Sequence, residues 1–339
     1  MSIHRAFLLA TILSACAPMA ALARDPAAPV ATPPAETGEA VPEPAGRGFS
    51  LGDTGLRLGG YVTGEAEDLE GDDHYSQLEG NLFVFYEPTR FFRLFTDLEL
   101  TLDEVALERG YLDLSYSDAA NLRLGKFLTP IGRWNQAHIE PLTWTTSEPL
   151  MIETVFDDTV SGASLLGSVF PSGGALSYAL YASLVDPIEV DADEAFADDS
   201  AGARLEWASL DGWTVGLSYY ASKPRDDTRW HHLGGTDVLW HLHPRLELSA
   251  EVLAGEGSRA VGAVRAAYLQ AAVQAWRSVY VVGRVESLAL PELPTARFVT
   301  AGLVWAPRPW VRVKADYTFA NDAGEDGEPG ARASLSFLF

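Results

Sequence analysis

The chain has 339 residues, 47% of them apolar, and its 47 acidic against 24 basic side chains give a net charge of −23. A polyanion of that strength is repelled by a phosphate polymer, which excludes nucleic acid as a partner. The single cysteine, Cys16, excludes a disulfide framework, and the length allows one large domain or two ordinary ones.

In chain order, a short basic stretch (MSIHR) precedes the apolar run AFLLATILSACAPMAALA, and Ala21-Leu22-Ala23 forms a small-x-small cleavage site. Residues 1–23 are therefore expected to be a signal peptide cut after Ala23. The alternative is lipidation at Cys16, because Leu13–Cys16 (LSAC) has the form of a bacterial lipobox. Either route exports the chain. Residues 24–47 are rich in Pro and Ala with almost no large apolar side chain, too little to bury, and are expected to be an extended linker.

After the leader no run of about 18 apolar residues occurs, so no transmembrane helix is expected. Period-two alternation dominates instead. In WVRVKADYTF, Trp310, Arg312, Lys314, Asp316 and Thr318 share one face, and Val311, Val313, Ala315, Tyr317 and Phe319 the other. ASLSFLF sets Ala333, Leu335, Phe337 and Phe339 against Ser334, Ser336 and Leu338. Such patterns are strands with one apolar and one polar face. They predict strands near 55–66, 77–87, 91–102, 107–117, 121–128, 158–170, 175–185, 201–209, 212–222, 229–242, 245–255, 261–275, 279–289, 296–306, 310–320 and 331–339.

The count is even, and tight turns such as PTR, PSGG and HPR alternate with longer acidic links such as DPIEVDADEAFADDS. The expected fold is all-β: a 16-stranded antiparallel transmembrane β-barrel with short periplasmic turns and longer extracellular loops, occupying 48–339. Strands of about ten residues suit a tilted bilayer crossing, and closure removes the unpaired edges that lipid forbids. Tyr116, Trp207, Trp213, Trp305 and Tyr317 suit aromatic girdles. The closing strand ending in Phe339 resembles the C-terminal signal of outer-membrane barrel proteins. That resemblance implies recognition by the barrel-assembly machinery and a place among outer-membrane lipid and lipopolysaccharide.

A barrel of this size leaves room for water. The polar faces put Arg57, Arg93, Arg109 and Arg123 on early strands and Arg312, Lys314 and Arg332 on the last two. Strand 16 neighbours strand 1 on closure, so these cations form either one basic wall of a transverse field or a set of salt-bridged wall residues without a role in selectivity. The longest link, 129–157, carries three prolines and several aromatics, and is expected to fold into the lumen and narrow it rather than cap the rim. Lys126, Arg133, Trp134, Asn135 and His138 then join the seven cations as candidate pore-lining or constriction residues.

LRLGKFLTPIGRWN, Leu122–Asn135, is similar to the strand-to-loop motif of the phosphate-selective porin O and P family. The resemblance implies a diffusion channel, often trimeric. The chain lacks that family's dense ladder of Arg and Lys, which puts phosphate selectivity in doubt. No Gly-x-Ser-x-Gly elbow occurs and no acid/base pair stands out, so no enzymatic activity and no cofactor are expected. His241 and His243 share a strand face but would need a third ligand to hold a metal. The expected function is a water-filled outer-membrane channel for passive diffusion of small hydrophilic solutes or ions. The alternative is a non-conducting plugged barrel acting as a structural, adhesin or envelope-anchoring protein.

Overall fold

Alternating side chains make each of these segments a strand, and hydrogen bonding joins the strands into a ring. The computed structural model describes residues 48–69, 74–137, 139–185, 197–225, 227–259, 262–291, 293–321 and 329–339. The expected signal peptide, the linker and His138 lie outside the described residues.

Besides a two-residue strand, Phe49–Ser50, paired with Leu58 and Arg57, the barrel strands are β1 (Leu56–Leu69), β2 (Tyr75–Thr89), β3 (Phe92–Leu100), β4 (Val105–Ser117), β5 (Ala120–Leu128), β6 (Thr159–Val169), β7 (Gly174–Ser183) and β8 (Ala197–Ser209). They continue as β9 (Trp213–Pro224), β10 (His231–His243), β11 (Leu246–Glu256), β12 (Ala263–Trp276), β13 (Val279–Ala289), β14 (Ala296–Arg308), β15 (Val311–Asn321) and β16 (Gly330–Leu338). Each pairs antiparallel with the next, and β16 pairs with β1 from Gly330↔Leu69 to Leu338↔Tyr61. This is a closed sixteen-strand barrel. The last residue takes part in the closure: the Phe339 amide donates to Gly60 O at 2.9 Å, and the Gly60 amide donates to Phe339 O at 3.0 Å.

Register fixes which face meets which medium, since one step of slip would exchange the two. Outward positions are apolar and open, with Leu269 52% exposed, Val285 50% and Leu303 57%. Tyr116, Trp207, Trp213, Trp240 and Trp305 stand on that outer face near the tight-turn end, the place of an aromatic girdle. Inward positions carry the charges. They also carry something the alternation did not foretell. Phe83, Phe85, Phe95 and Tyr111 point inward and join Ile131, Trp134, Ile139, Met151 and Phe156 of the 129–157 segment in one buried apolar cluster. Two short helices, α1 (Trp134–Ala137) and α2 (Leu150–Val155), lie in that segment.

Candidate functional site: a partitioned lumen

The inner face of the early strands is a ladder of ion pairs set by register. Residues directly opposite on neighbouring strands bring their Cβ atoms within about 5 Å, so opposite charges placed there meet. Arg109 of β4 faces Asp97 of β3, and both its Nε and Nη2 donate to Asp97 Oδ2, at 3.0 and 2.6 Å. Arg123 of β5 faces Asp113 of β4 and grips both carboxylate oxygens, its guanidinium 3.7 Å from the centre of the Tyr111 ring. Arg332 of β16 faces Glu67 of β1 at 2.8 Å. Nearer the tight-turn end, Arg57 and Arg93 share Glu87.

On the other side of the ring the inward cations hold backbone. Arg284 of β13 donates to Thr145 Oγ1, to Ser147 O and Oγ, and to Glu148 O, and also pairs with Glu286 at 3.1 Å. Lys314 of β15 donates to Glu140 O, Thr143 Oγ1 and Thr145 O, and pairs with Glu140 at 2.5 Å. Arg312 reaches Thr143 O at 3.1 Å and lies over the Trp144 ring. A guanidinium fork suits several carbonyls at once, and a charge this deep requires every such bond. Carboxylates of the same wall take the segment's N–H donors. Asp316 accepts from the Thr146 amide at 2.8 Å, Glu286 from the Leu150 amide at 2.9 Å, and Glu247 from Trp144 Nε1 at 2.6 Å.

The segment's first turn is locked by Glu251 of β11. Its Oε1 accepts from the amides of Arg133 (3.0 Å) and Trp134 (2.5 Å) and from the Tyr268 hydroxyl (2.7 Å). Gly132 has φ +63, and a Cβ there would sit 2.2 Å from Glu251 Oε2. Only glycine fits, because the position is both left-handed and pressed against the carboxylate. The Pro130-Ile131-Gly132 step thus aims two amides at one buried acceptor.

Between the segment and the early strands remains a cavity of about 370 Å³. Nine carboxylate side chains and three arginines line it, and those arginines, Arg109, Arg284 and Arg332, already hold Asp97, Glu286 and Glu67. The space is therefore acidic. Glu65, Glu79 and Glu108 belong to this lining and were not singled out from the sequence. The parity of Arg57 in LRLGGYVTGEAEDLE, carried eight residues along β1, places Glu65 on the inner face and was the available signal.

The remaining candidates divide. Trp134 packs edge-on against Tyr268, with Arg284 over its ring. Asn135 Nδ2 donates to Thr129 O and Asp158 O, tying the two legs of the segment together where they leave the wall. Lys126 pairs in register with Gly110, off the Arg109 face, and donates to Leu107 O at 3.1 Å. His241 pairs with Glu247 at 3.2 Å, and among the described residues no group of three or more potential ligands converges on a metal position. In the link after β9, outside the strands, Asp227 is held well below the usual carboxylate range, first by the Arg229 amide and then by the His231 ring and the Arg229 guanidinium.

No family model matches the chain, and no curated protein matches it in sequence. Solved structures do match in fold. OmpF of Salmonella typhi, in complex with daunomycin, aligns with TM-score 0.66 at 12% identity, covering 86% of this chain and 100% of that one. In-vitro folded OmpT, an outer membrane protein of Vibrio cholerae, aligns at 0.59 and 10% identity over 84% and 97%. A triple mutant of the Rhodopseudomonas blastica porin aligns at 0.58 and 14% identity over 84% and 100%. At these identities the likeness is one of fold: the porin barrel.

Proposed function

We propose that the chain is a porin of the bacterial outer membrane, passing small hydrophilic solutes through the space between the early strands and the 129–157 segment. One observation carries this reading. A closed ring with exposed apolar side chains outside encloses a charged cavity inside, which is the arrangement for oil around and water within. The segment acts as the constriction. Residues 1–23 serve as the export signal and 24–47 as a tether, and Phe339 is the mark read by the assembly machinery. The homotrimer implied by the resemblance to the porin O and P family is part of the same proposal; phosphate selectivity is not.

A second reading, the plugged and non-conducting barrel, is favoured by the depth of the clamp, since Arg284 and Lys314 are each only 1% exposed. Planar-bilayer recording separates the two. Stepwise openings from refolded protein support the porin, and silence from correctly folded protein contradicts it. Deletion of 134–150 enlarges the openings if the segment constricts; unchanged openings would refute that placement, and openings that appear only after the deletion identify a plug.

A further inference from the structure

The cavity contains an unmet demand for a hydrogen-bond donor. Asn81 of β2 lines it and is only 4% exposed. Its Nδ2 donates to Asp97 Oδ1 at 3.1 Å, and Asp97 is held by Arg109, so the carboxylate accepts and the amide cannot turn round. That orientation leaves Asn81 Oδ1 as a buried acceptor with no partner among the described residues. A buried acceptor is satisfied by an N–H or O–H donor brought to it.

Register places carboxyl and hydroxyl side chains around this atom. Glu79 lies two residues along β2 on the same face, Glu99 of β3 is directly opposite Asn81, and Tyr61 of β1 is directly opposite on the other side. All three line the cavity. Among the described residues Glu65 and Glu79 take part in no ion pair. The carboxylates are spread along the wall, and among the described residues no group of three or more potential ligands is gathered to hold a bare metal ion. Spread carboxylates and an amide acceptor suit an organic cation that carries both charge and N–H donors.

We propose that the Asn81 pocket is a selectivity site for small N–H-bearing organic cations, that is, primary ammonium solutes. This rests on the porin reading for transport but not for binding. Within it, Glu79 and its acidic neighbours concentrate cations, and Asn81 distinguishes those with a donor to give.

The test compares ethylammonium, which has three donors, with tetramethylammonium, which has none. Reversal potentials in gradients of each chloride give permeability ratios for the wild type, Asn81→Leu, Glu79→Gln and Asp211→Asn, an exposed turn residue outside the cavity. Saturation-transfer NMR with ethylammonium on detergent-solubilised protein reads binding without requiring conductance. Cations should be preferred to chloride in the wild type. Asn81→Leu should lower the ethylammonium-to-tetramethylammonium ratio about threefold, with cation preference retained. Glu79→Gln should lower the cation-to-chloride ratio about threefold, and Asp211→Asn should change neither.

Chloride preference, an unchanged ratio in Asn81→Leu, or an equal effect from Asp211→Asn would overturn the site. Silent bilayers with a saturation-transfer signal lost in Glu79→Gln would remove the porin reading and leave the site standing. Silence without that signal would overturn both. Should Asn81→Leu fail to refold, as judged by the heat-dependent gel shift, Glu79→Gln in the NMR experiment carries the test.

Discussion

The β1–β5 wall and the β13–β16 wall are built from the same materials to different ends. Each sets arginines on inward positions, and Arg109 on one side is as deeply buried as Arg284 on the other, at 2% and 1% exposure. Arg109 spends its bonds on a carboxylate one strand away. Arg284 spends most of its bonds on a segment 136 to 139 residues distant in sequence. The first arrangement stiffens a wall beside open space, and the second fastens an object across the lumen. What an inward cation does is decided by what stands in front of it, which neither its residue type nor its strand parity encodes.

Replacing Arg284 by Met should separate the two walls most sharply. It strips the segment of the cation that holds Thr145, Ser147 and Glu148, and leaves Glu286 buried without its ion pair. A loss of about 4 kcal/mol in denaturant unfolding from detergent is expected, with larger single-channel steps. Gly132→Val acts at the segment's other end. It forces a β-branched residue to φ +63 against Glu251, and about 3 kcal/mol should be lost, again with altered conductance. Arg123→Met breaks an equally direct ion pair on the early wall, one made between two neighbouring strands. About 2 kcal/mol should go, with conductance unchanged. Arg57→Gln is the mildest. Its pair with Glu87 is about a quarter exposed, so roughly 0.5 kcal/mol is expected. An equal conductance change in the Arg284 and Arg123 variants would erase the distinction.

Most of the barrel was legible because period two is a local signal. WVRVKADYTF states its two faces within ten residues, and the observed β15 keeps that division. The inner apolar cluster was hidden because LFVFYEPTRFFRLF is apolar on both faces, so alternation there cannot tell inside from outside. Lys126 stands three residues from Arg123, so regular alternation already turns it to the opposite face, and its in-register pairing with Gly110 keeps it there. Asn135 is expected from the sequence to line the constriction; its amide serves carbonyls at the two ends of the segment, a local choice open to any Asn near a turn. The clamp of Arg284 on Thr145 and Ser147 needs the closed ring before the partners can meet, and no window of sequence contains it.

The two-walled lumen is tested most directly by thiol reactivity. Cys16 is the chain's one cysteine, so a Cys16→Ser background accepts single cysteines cleanly. Cysteines in place of Glu79 on the cavity wall, Thr300 on the clamped wall (1% exposed) and Leu269 on the outer face would be treated with a water-soluble cationic thiosulfonate in bilayer vesicles. Fast modification at 79, slow modification at 300 and protection by lipid at 269 is the expected order. Equal rates at 79 and 300 would contradict a lumen divided by the segment, and fast modification at 269 would contradict the barrel's orientation to lipid.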